Sequence, residues 1–405
     1  MKSLFGYGLT TKAIAKSGGW HIFDDSFKEA SFDKYGNKLL PSKEFNPEKS
    51  ILEITSPGIP PTHPLIKKAK NLISEFDYFY EYAPFQIWIT GTNGKTTTTQ
   101  MTYHLLKTHN ADIGGNIGIP LANMNKNADF WIVETSSFQL YYTKYAKPNI
   151  FIILPLMEDH ISWHGSFENY IKAKLSPLKR MSERDVVIMP KNLDTKTQAF
   201  KILYENEKDL IKYFGFETKE FQVPFLLDEL LAKAVYKILF LKEKNLSGFK
   251  IDPHKLEEFK DSKGRIWVDD SKATNIDATL NALKRYKDKK IFLILGGDGK
   301  GQNFENLFKY MKNLDITLFI IGKDTSVFKK LAEQFNIKHR ISGELKNAVN
   351  EISKLHDNKS IALLSPACAS FDQFSGYKQR GEFFKKFVIK ISGLFHADKI
   401  QTTKK

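Results

Sequence analysis

The segment Gly91-Thr92-Asn93-Gly94-Lys95-Thr96-Thr97 combines two glycines, a lysine and three hydroxyls at a spacing suited to holding phosphate. Glycines let backbone N–H groups close around phosphate oxygens, and a following helix turns the positive end of its dipole toward them. Lys95 then reaches the outer phosphates of a nucleotide, and the Thr96 hydroxyl is placed to ligate Mg2+. The commoner loop, G-x-x-x-x-G-K-[ST], would start at position 89, which is Ile89. This loop is the shorter form. An apolar run before it and a helical pattern after it argue against a glycine turn with a chance lysine.

Two further groups stand at the ends of apolar runs. Glu134 closes ADFWIVE, and Glu158-Asp159-His160 follows IFIILPLM. In an open parallel sheet the carboxyl ends of the strands form the ligand crevice, so Glu134 and His160 are expected to face the same crevice as the phosphate loop. Hard oxygen ligands suit Mg2+, for which a histidine is a less usual partner. Lys174, in a helical pattern over 166–180, reads from its neighbours as an ordinary surface lysine. Three polar clusters follow later strand patterns: Asp269-Asp270-Ser271-Lys272-Ala273-Thr274-Asn275, Gly296-Gly297-Asp298-Gly299-Lys300-Gly301, and the run Ser365–Phe374. Each alone reads as a turn. Together, with their Lys and Ser/Thr donors, they suggest an edge that binds an amino acid bearing extra carboxylates.

Strands and helices must present these groups. Apolar runs predict strands over 3–7, 19–23 and 51–55, with a short helix over 11–16, a reduced Rossmann-like unit. From Phe85 strands alternate with helices: 85–90, 129–134, 149–154 and 186–189 are strands, and a helix begins at Thr96. Strands over 265–268, 290–295, 317–321 and 361–364 form a third section. Such alternation implies parallel α/β sheets with helices on both faces. The section boundaries fall near 80 and 247.

Composition narrows the function classes. The 405 residues are 41% hydrophobic and 13% aromatic, enough for sizeable cores rather than disorder. No uninterrupted apolar run exceeds the length of Ile150–Leu154, far below the ~20 residues that span a bilayer. Gly, Thr and Lys break the first twenty residues, so a signal peptide is not expected. The single cysteine, Cys368, excludes an intrachain disulfide and a cysteine zinc site, and a reducing cytoplasm fits. The net charge of +15 raises nucleic-acid binding. Only six of the 61 basic residues are Arg, however, and Arg is what base readout and phosphate clamping favour. Scattered lysines point instead to a lysine-biased composition.

The motifs GTNGKTTT, GGNIGIP, VETSSFQL, DH…AK, DDSKATN, GGDGKG and SPACASFDQF occur in the order seen in Mur ligases, and the last three resemble those of its D-glutamate-adding members. The resemblance implies an α/β fold of three domains. These are a Rossmann-like UDP-sugar-binding domain over 1–80, a central ATP-binding P-loop domain with a parallel sheet over 81–247, and a Rossmann-like amino-acid-binding domain over 248–405. It implies an ATP-dependent C–N ligase joining D-glutamate to UDP-N-acetylmuramoyl-L-alanine through an acyl phosphate, in cytoplasmic peptidoglycan precursor synthesis. It implies a monomer with small-molecule substrates, bound to neither nucleic acid nor membrane.

Residue by residue, the resemblance assigns Gly91, Thr92, Asn93, Gly94, Lys95, Thr96 and Thr97, with Asp270 and Lys272, to ATP. It gives one Mg2+ to Thr96 and Glu134 and a second to His160, with Lys174 as a carbamylated ligand. Lys95, Lys174 and His160 form the catalytic set. Leu9, Thr10, Asp25, Ser56, Pro57, Gly58 and Asn116 would hold the UDP-sugar, and Thr274, Lys300, Ser370, Phe371 and Tyr377 the D-glutamate. The chain departs from the family pattern at several places. The N-terminal section is short, and its loop, Gly6-Tyr7-Gly8-Leu9-Thr10, is followed by Thr11 and not by Gly. Ser26 stands where an arginine often holds the uracil end, Lys255 replaces the arginine of Pro-His-Arg, and no Asn-rich segment is visible over 223–234. Another Mur-type or folylpolyglutamate-type amide ligase, and a P-loop nucleic-acid-binding ATPase, are the competing readings.

Overall fold

Short buried strands, paired almost entirely in parallel, organise the chain. A computed structural model describes residues 1–299, 301–391 and 393. Two compact units divide it, Met1–Phe249 and the part from Lys250 onward.

The first unit carries two six-stranded sheets. Strands β1 (Lys2–Phe5), β2 (Trp20–Asp24), β3 (Ser31–Phe32), β4 (Lys38–Pro41), β5 (Leu52–Thr55) and β6 (Leu72–Ile73) pair in the order β3-β4-β2-β1-β5-β6. Only β3 runs antiparallel to its neighbour. The second sheet contains β7 (Phe85–Thr90), β8 (Ala111–Gly115), β9 (Phe130–Glu134), β10 (Ile150–Ile153), β11 (Val186–Pro190) and β12 (Phe200–Tyr204). Its order is β12-β11-β10-β7-β9-β8 and every pair is parallel. Leu4, Trp20 and Ile54 of the first sheet share an apolar core with Trp88, Trp131 and Phe151 of the second.

The second unit holds β13 (Glu257–Lys260), β14 (Ile266–Asp269), β15 (Lys290–Gly296), β16 (Ile316–Ile321), β17 (Lys338–Gly343) and β18 (Ser360–Leu364). They pair as β13-β14-β18-β15-β16-β17, with β13 alone antiparallel.

Central strands match their sequence signal because both faces are buried and their residues are continuously apolar. The strands that sequence pattern missed are β3, β4, β6, β8, β12, β13 and β17. These are short, outlying or rich in Gly, Lys and Glu, and they gain order by pairing with an apolar neighbour. The first helix starts at Leu9 rather than Thr11, directly after the extended Gly8. The helix expected over 166–180 is α-helical only over Phe167–Leu175 and continues as a 3-10 turn over Ser176–Lys179. Pro177 in that turn has no N–H to continue the α pattern.

The helix Leu226–Phe240 packs on the helix Lys95–Leu106 that follows the phosphate loop. It carries a fully buried ion pair, Lys233 Nζ to Glu229 Oε1 at 3.0 Å. Glu229 also accepts the Glu220 and Phe221 N–H groups at 3.0 and 2.8 Å, and Lys233 donates to the Thr218 carbonyl at 2.9 Å. The pair therefore orders the chain over 218–221. Removing one member of a buried pair strands the other, so Lys233→Met should cost about 3–5 kcal/mol in urea unfolding. A cost below about 1 kcal/mol would show that Glu229 finds water or another donor.

Candidate active site

The phosphate loop runs from the end of β7 to the helix Lys95–Leu106. Gly94 caps that helix with φ +82°, and a Cβ there would lie 2.5 Å from Asp228 Oδ1. The positive φ favours glycine, and a Cβ would also force Asp228 to shift. Thr92 is buried and anchors the loop: its hydroxyl is 3.1 Å from the Met157 carbonyl and 2.9 Å from Tyr170 Oη, and it accepts the Met157 N–H at 2.9 Å. Lys95 curls over the loop and donates to the Gly91 and Thr92 carbonyls at 3.0 and 2.7 Å. Thr96 and Thr97 occupy the helix's first turn.

Lys174 is not a surface lysine. Its side chain comes from the helix Phe167–Leu175, is 2% exposed, and reaches beneath the loop. Its amine donates to the Gly91 carbonyl at 2.8 Å and Thr90 Oγ1 at 3.2 Å, and lies 4.9 Å from the Tyr170 ring centre. Lys95 and Lys174 thus share one carbonyl. Burial, and after it the Lys95 charge, push the Lys174 pKa well below its ordinary value, against the pull of Asp159 and Glu134.

Glu134 ends β9 almost fully buried. Asn116 Nδ2 donates to its Oε1 at 2.7 Å, and the Asn116 N–H donates to its carbonyl at 2.8 Å. Its other oxygen, Oε2, is buried with no hydrogen-bond partner. Buried carboxylate oxygens are rarely left without a partner, so this one could serve as a cation ligand. His160 has φ +54° and its ring lies 4.8 Å from Phe138, with Nε2 3.6 Å from Asp159 Oδ2. One turn later His164 bonds Ser137 Oγ at 2.9 Å, and burial lowers its pKa to about 4.

Beside β5, the turn Ser56-Pro57-Gly58 meets the first helix. A Cβ on Gly8 would sit 3.1 Å from Ser56 Oγ, so Gly8, which precedes Leu9 and Thr10, lies close to this turn. Leu9 is 62% exposed. Tyr142 Oη donates to the Ile59 carbonyl at 2.6 Å and fixes the turn. Asp25, after β2, is held by Ser42 Oγ and by His63 Nε2 at 2.9 Å, which lower its pKa, Ser42 foremost.

In the second unit the three polar clusters follow β14, β15 and β18. Asp270 turns inward: Ser365 Oγ donates to it at 2.7 Å and the Leu256 N–H at 3.2 Å, and burial raises its pKa to about 8. Lys272 Nζ lies 3.3 Å from Tyr377 Oη and 4.5 Å from the ring centre. Thr274 is half-buried, Ser370 is buried and Phe371 is 71% exposed. Lys300 lies outside the described residues.

Residues 89–251 match the family model of the Mur ligase middle domain. The chain is 53% identical to the UDP-N-acetylmuramoylalanine–D-glutamate ligase of Campylobacter jejuni, over 96% of this chain and 99% of the relative. It is 45% identical to the enzyme of that name from Helicobacter pylori, with the same two coverages. The chain belongs to the Mur ligase family. Its fold is also similar to the MurF ligase of Thermotoga maritima, solved with ADP, at TM-score 0.59 and 14% identity over 84% of this chain and 89% of that one. MurC of the same organism gives TM-score 0.55 at 18% identity, over 95% and 98%.

Within this Mur ligase, the first unit brings the phosphate loop, Glu134, Asn116 and Lys174 together. The second unit brings Lys272 to Tyr377 and Asp270 to Ser365. Sequence reasoning missed Tyr170, Glu75, Gln139 and Arg380. Gln139 carried a legible signal, the Ser136–Gln139 capping box that opens the helix Ser137–Tyr142. Arg380 carried none, yet its buried guanidinium donates to the carbonyls of Ser271 and Cys368 at 2.9 and 3.0 Å and ties two clusters together.

Glu75 lines a small cavity with Thr55, Pro57 and Gln139. It accepts Gln139 Nε2 at 3.2 Å and the Leu121 N–H at 3.3 Å, and burial raises its pKa from 4.5 to about 7. A raised folded-state pKa gives stability that is full below the unfolded value and is lost as pH rises through the folded one. The stability of the native protein relative to Glu75→Gln should therefore fall by on the order of 3 kcal/mol between pH 4.5 and 8. A pH-independent difference in urea unfolding would contradict the protonated Glu75.

Proposed function

We propose that this Mur ligase joins D-glutamate to UDP-N-acetylmuramoyl-L-alanine at the expense of ATP, in cytoplasmic peptidoglycan precursor synthesis. The observation that carries the reading is the 53% identity to the Campylobacter jejuni ligase along nearly the whole of both chains. ATP phosphorylates the L-alanyl carboxylate, because a free carboxylate is a poor electrophile at neutral pH. The D-glutamate amine attacks the acyl phosphate, forming the amide and expelling phosphate. Holding the acyl phosphate and the amine together supplies effective molarity and keeps water from the acyl phosphate.

In this reading the chain works as three domains, 1–80, 81–247 and 248–405, as a monomer. Backbone N–H groups over 91–97 and the Lys95 ammonium bind and polarise the ATP phosphates, with Asp270 and Lys272 contributing to the nucleotide site. Leu9, Thr10, Asp25, Ser56, Pro57, Gly58 and Asn116 hold the UDP-sugar. Thr274, Lys300, Ser370, Phe371 and Tyr377 hold D-glutamate. The donor set fits Mg2+: the orphaned Glu134 oxygen and the Thr96 hydroxyl suit one ion, and His160 a second. Bound there, Mg2+ would offset charge on the phosphates during transfer.

The environment of Lys174 supports carbamylation. Depressing the pKa of a buried amine raises its neutral fraction, whose lone pair can attack CO2, forming an N–C bond and releasing one proton. The product is an anionic oxygen ligand where an ammonium would repel a cation.

Mass spectrometry of the product from UDP-N-acetylmuramoyl-L-alanine, ATP and D-glutamate tests the activity. D-Glutamate should be incorporated and L-glutamate, L-lysine and diaminopimelate should not; the reverse selects another amide ligase. Lys95→Ala should lower turnover by about 10²–10³, the usual worth of one preorganised electrostatic donor. Lys174→Ala should nearly abolish ligation and regain part of it with acetate or propionate. Unimpaired turnover in Lys174→Ala would remove the carbamate.

A further inference from the structure

Three loops carry the polar clusters of the second unit, and a fourth, which no sequence motif singled out, holds two of them in place. This is the turn Gly322-Lys323-Asp324 after β16. Asp324 Oδ2 accepts the Gly299 N–H at 2.7 Å, and the Asp324 N–H donates to the Gly297 carbonyl at 3.2 Å. From the other side, Asp372 Oδ2 accepts the Lys323 N–H at 2.9 Å. The GGDGKG loop and the SPACASFDQF loop are joined directly by paired bonds between Asp298 and Ala369, each 3.0 Å.

The seam has no slack. A Cβ on Gly322 would lie 2.5 Å from Asp372 Oδ2 and 2.6 Å from Gly297 Cα, and one on Gly297 would lie 2.3 Å from the Ala369 carbonyl oxygen. Three backbones therefore touch where only glycine fits. Carboxylate acceptors are stronger than neutral ones, so Asp324 and Asp372 set the heights of both loops relative to this turn.

We infer that Asp324 and Asp372 are positioning residues for the amino-acid substrate: together they clamp the segment 297–299 and the loop bearing Ser370 to the turn at 322–324. This rests on the D-glutamate reading above. A displaced donor loop loses contacts to the substrate carboxylates, whereas the phosphate loop belongs to the other unit.

Steady-state kinetics on the full-length enzyme test this, with each substrate varied in turn. Asp324→Ala should raise the KM for D-glutamate about tenfold, with the KM for ATP and for UDP-N-acetylmuramoyl-L-alanine within twofold of native. Asp324→Asn, which keeps one acceptor oxygen, should restore most of the loss. Asp372→Ala should act in the same direction, and the double variant should fall short of the product of the two single effects, because both act through one turn. If Asp324→Ala does not fold, Asp324→Asn is compared with native by hydrogen exchange over 297–299, where protection should fall while β15 stays protected. An unchanged KM for D-glutamate, or an equal rise in all three KM values, overturns the inference. Failure of the native enzyme itself to incorporate D-glutamate would instead overturn the functional reading, and that assay is run first.

Discussion

An amine buried under a phosphate loop is the constraint around which the first unit is arranged. Taking an ammonium out of water costs several kcal/mol, and Lys174 lies against carbonyl and hydroxyl oxygens rather than in an ion pair. Shedding the proton removes most of that cost and leaves a nucleophile. The arrangement needs the helix Phe167–Leu175 held against the ends of β7 and β10. Tyr170, two turns of chemistry in one residue, does this: its ring faces the amine and its hydroxyl bonds Thr92. Lys95, sharing the Gly91 carbonyl, adds to the effect of burial a positive charge that lowers the pKa of the second amine further.

Strand order then decides which side chains can meet. In the first unit β7 lies between β10 and β9, so the loop after β7 is flanked by Glu134 on one side and the segment leading to His160 on the other. The chain reverses its direction of winding at β7, the position at which open parallel sheets bind ligands. In the second unit β18 lies between β14 and β15, so three clusters distant in sequence become neighbours at one sheet edge. The two sheets differ in strand order, yet each sets loops that are distant in sequence side by side at the carboxyl ends of its strands.

Buried polar groups fix the details. Glu75 follows β6 and bonds Gln139, so a protonatable carboxyl beside the turn at 56–58 is tied to the helix that follows Glu134. Arg380 does comparable work in the second unit by bonding two loop carbonyls. Each such group is satisfied by specific partners, and unsatisfied alternatives are costly, so the polar network selects one loop geometry among many that the apolar core would tolerate.

The residues of the phosphate loop, Glu134 and the three later clusters were legible in sequence because each follows a continuous apolar run, and local pattern reports strands buried on both faces. The central strands were legible for the same reason. Edge strands such as β8 and β17 were not, since their order comes from a neighbour's backbone rather than from their own side chains. Lys174 carries opposite meanings at the two levels. Its helix spacing describes a solvated lysine, and only the packing of that helix against the loop makes it a buried amine. Asp324 and Arg380 had no local signal, because the side-chain partner of Asp324 lies 25 residues away and those of Arg380 lie 12 and 109 away. Sequence determined which groups stand at strand ends; tertiary structure decided which of them are dry, because burial is a property of the neighbours and not of the residue.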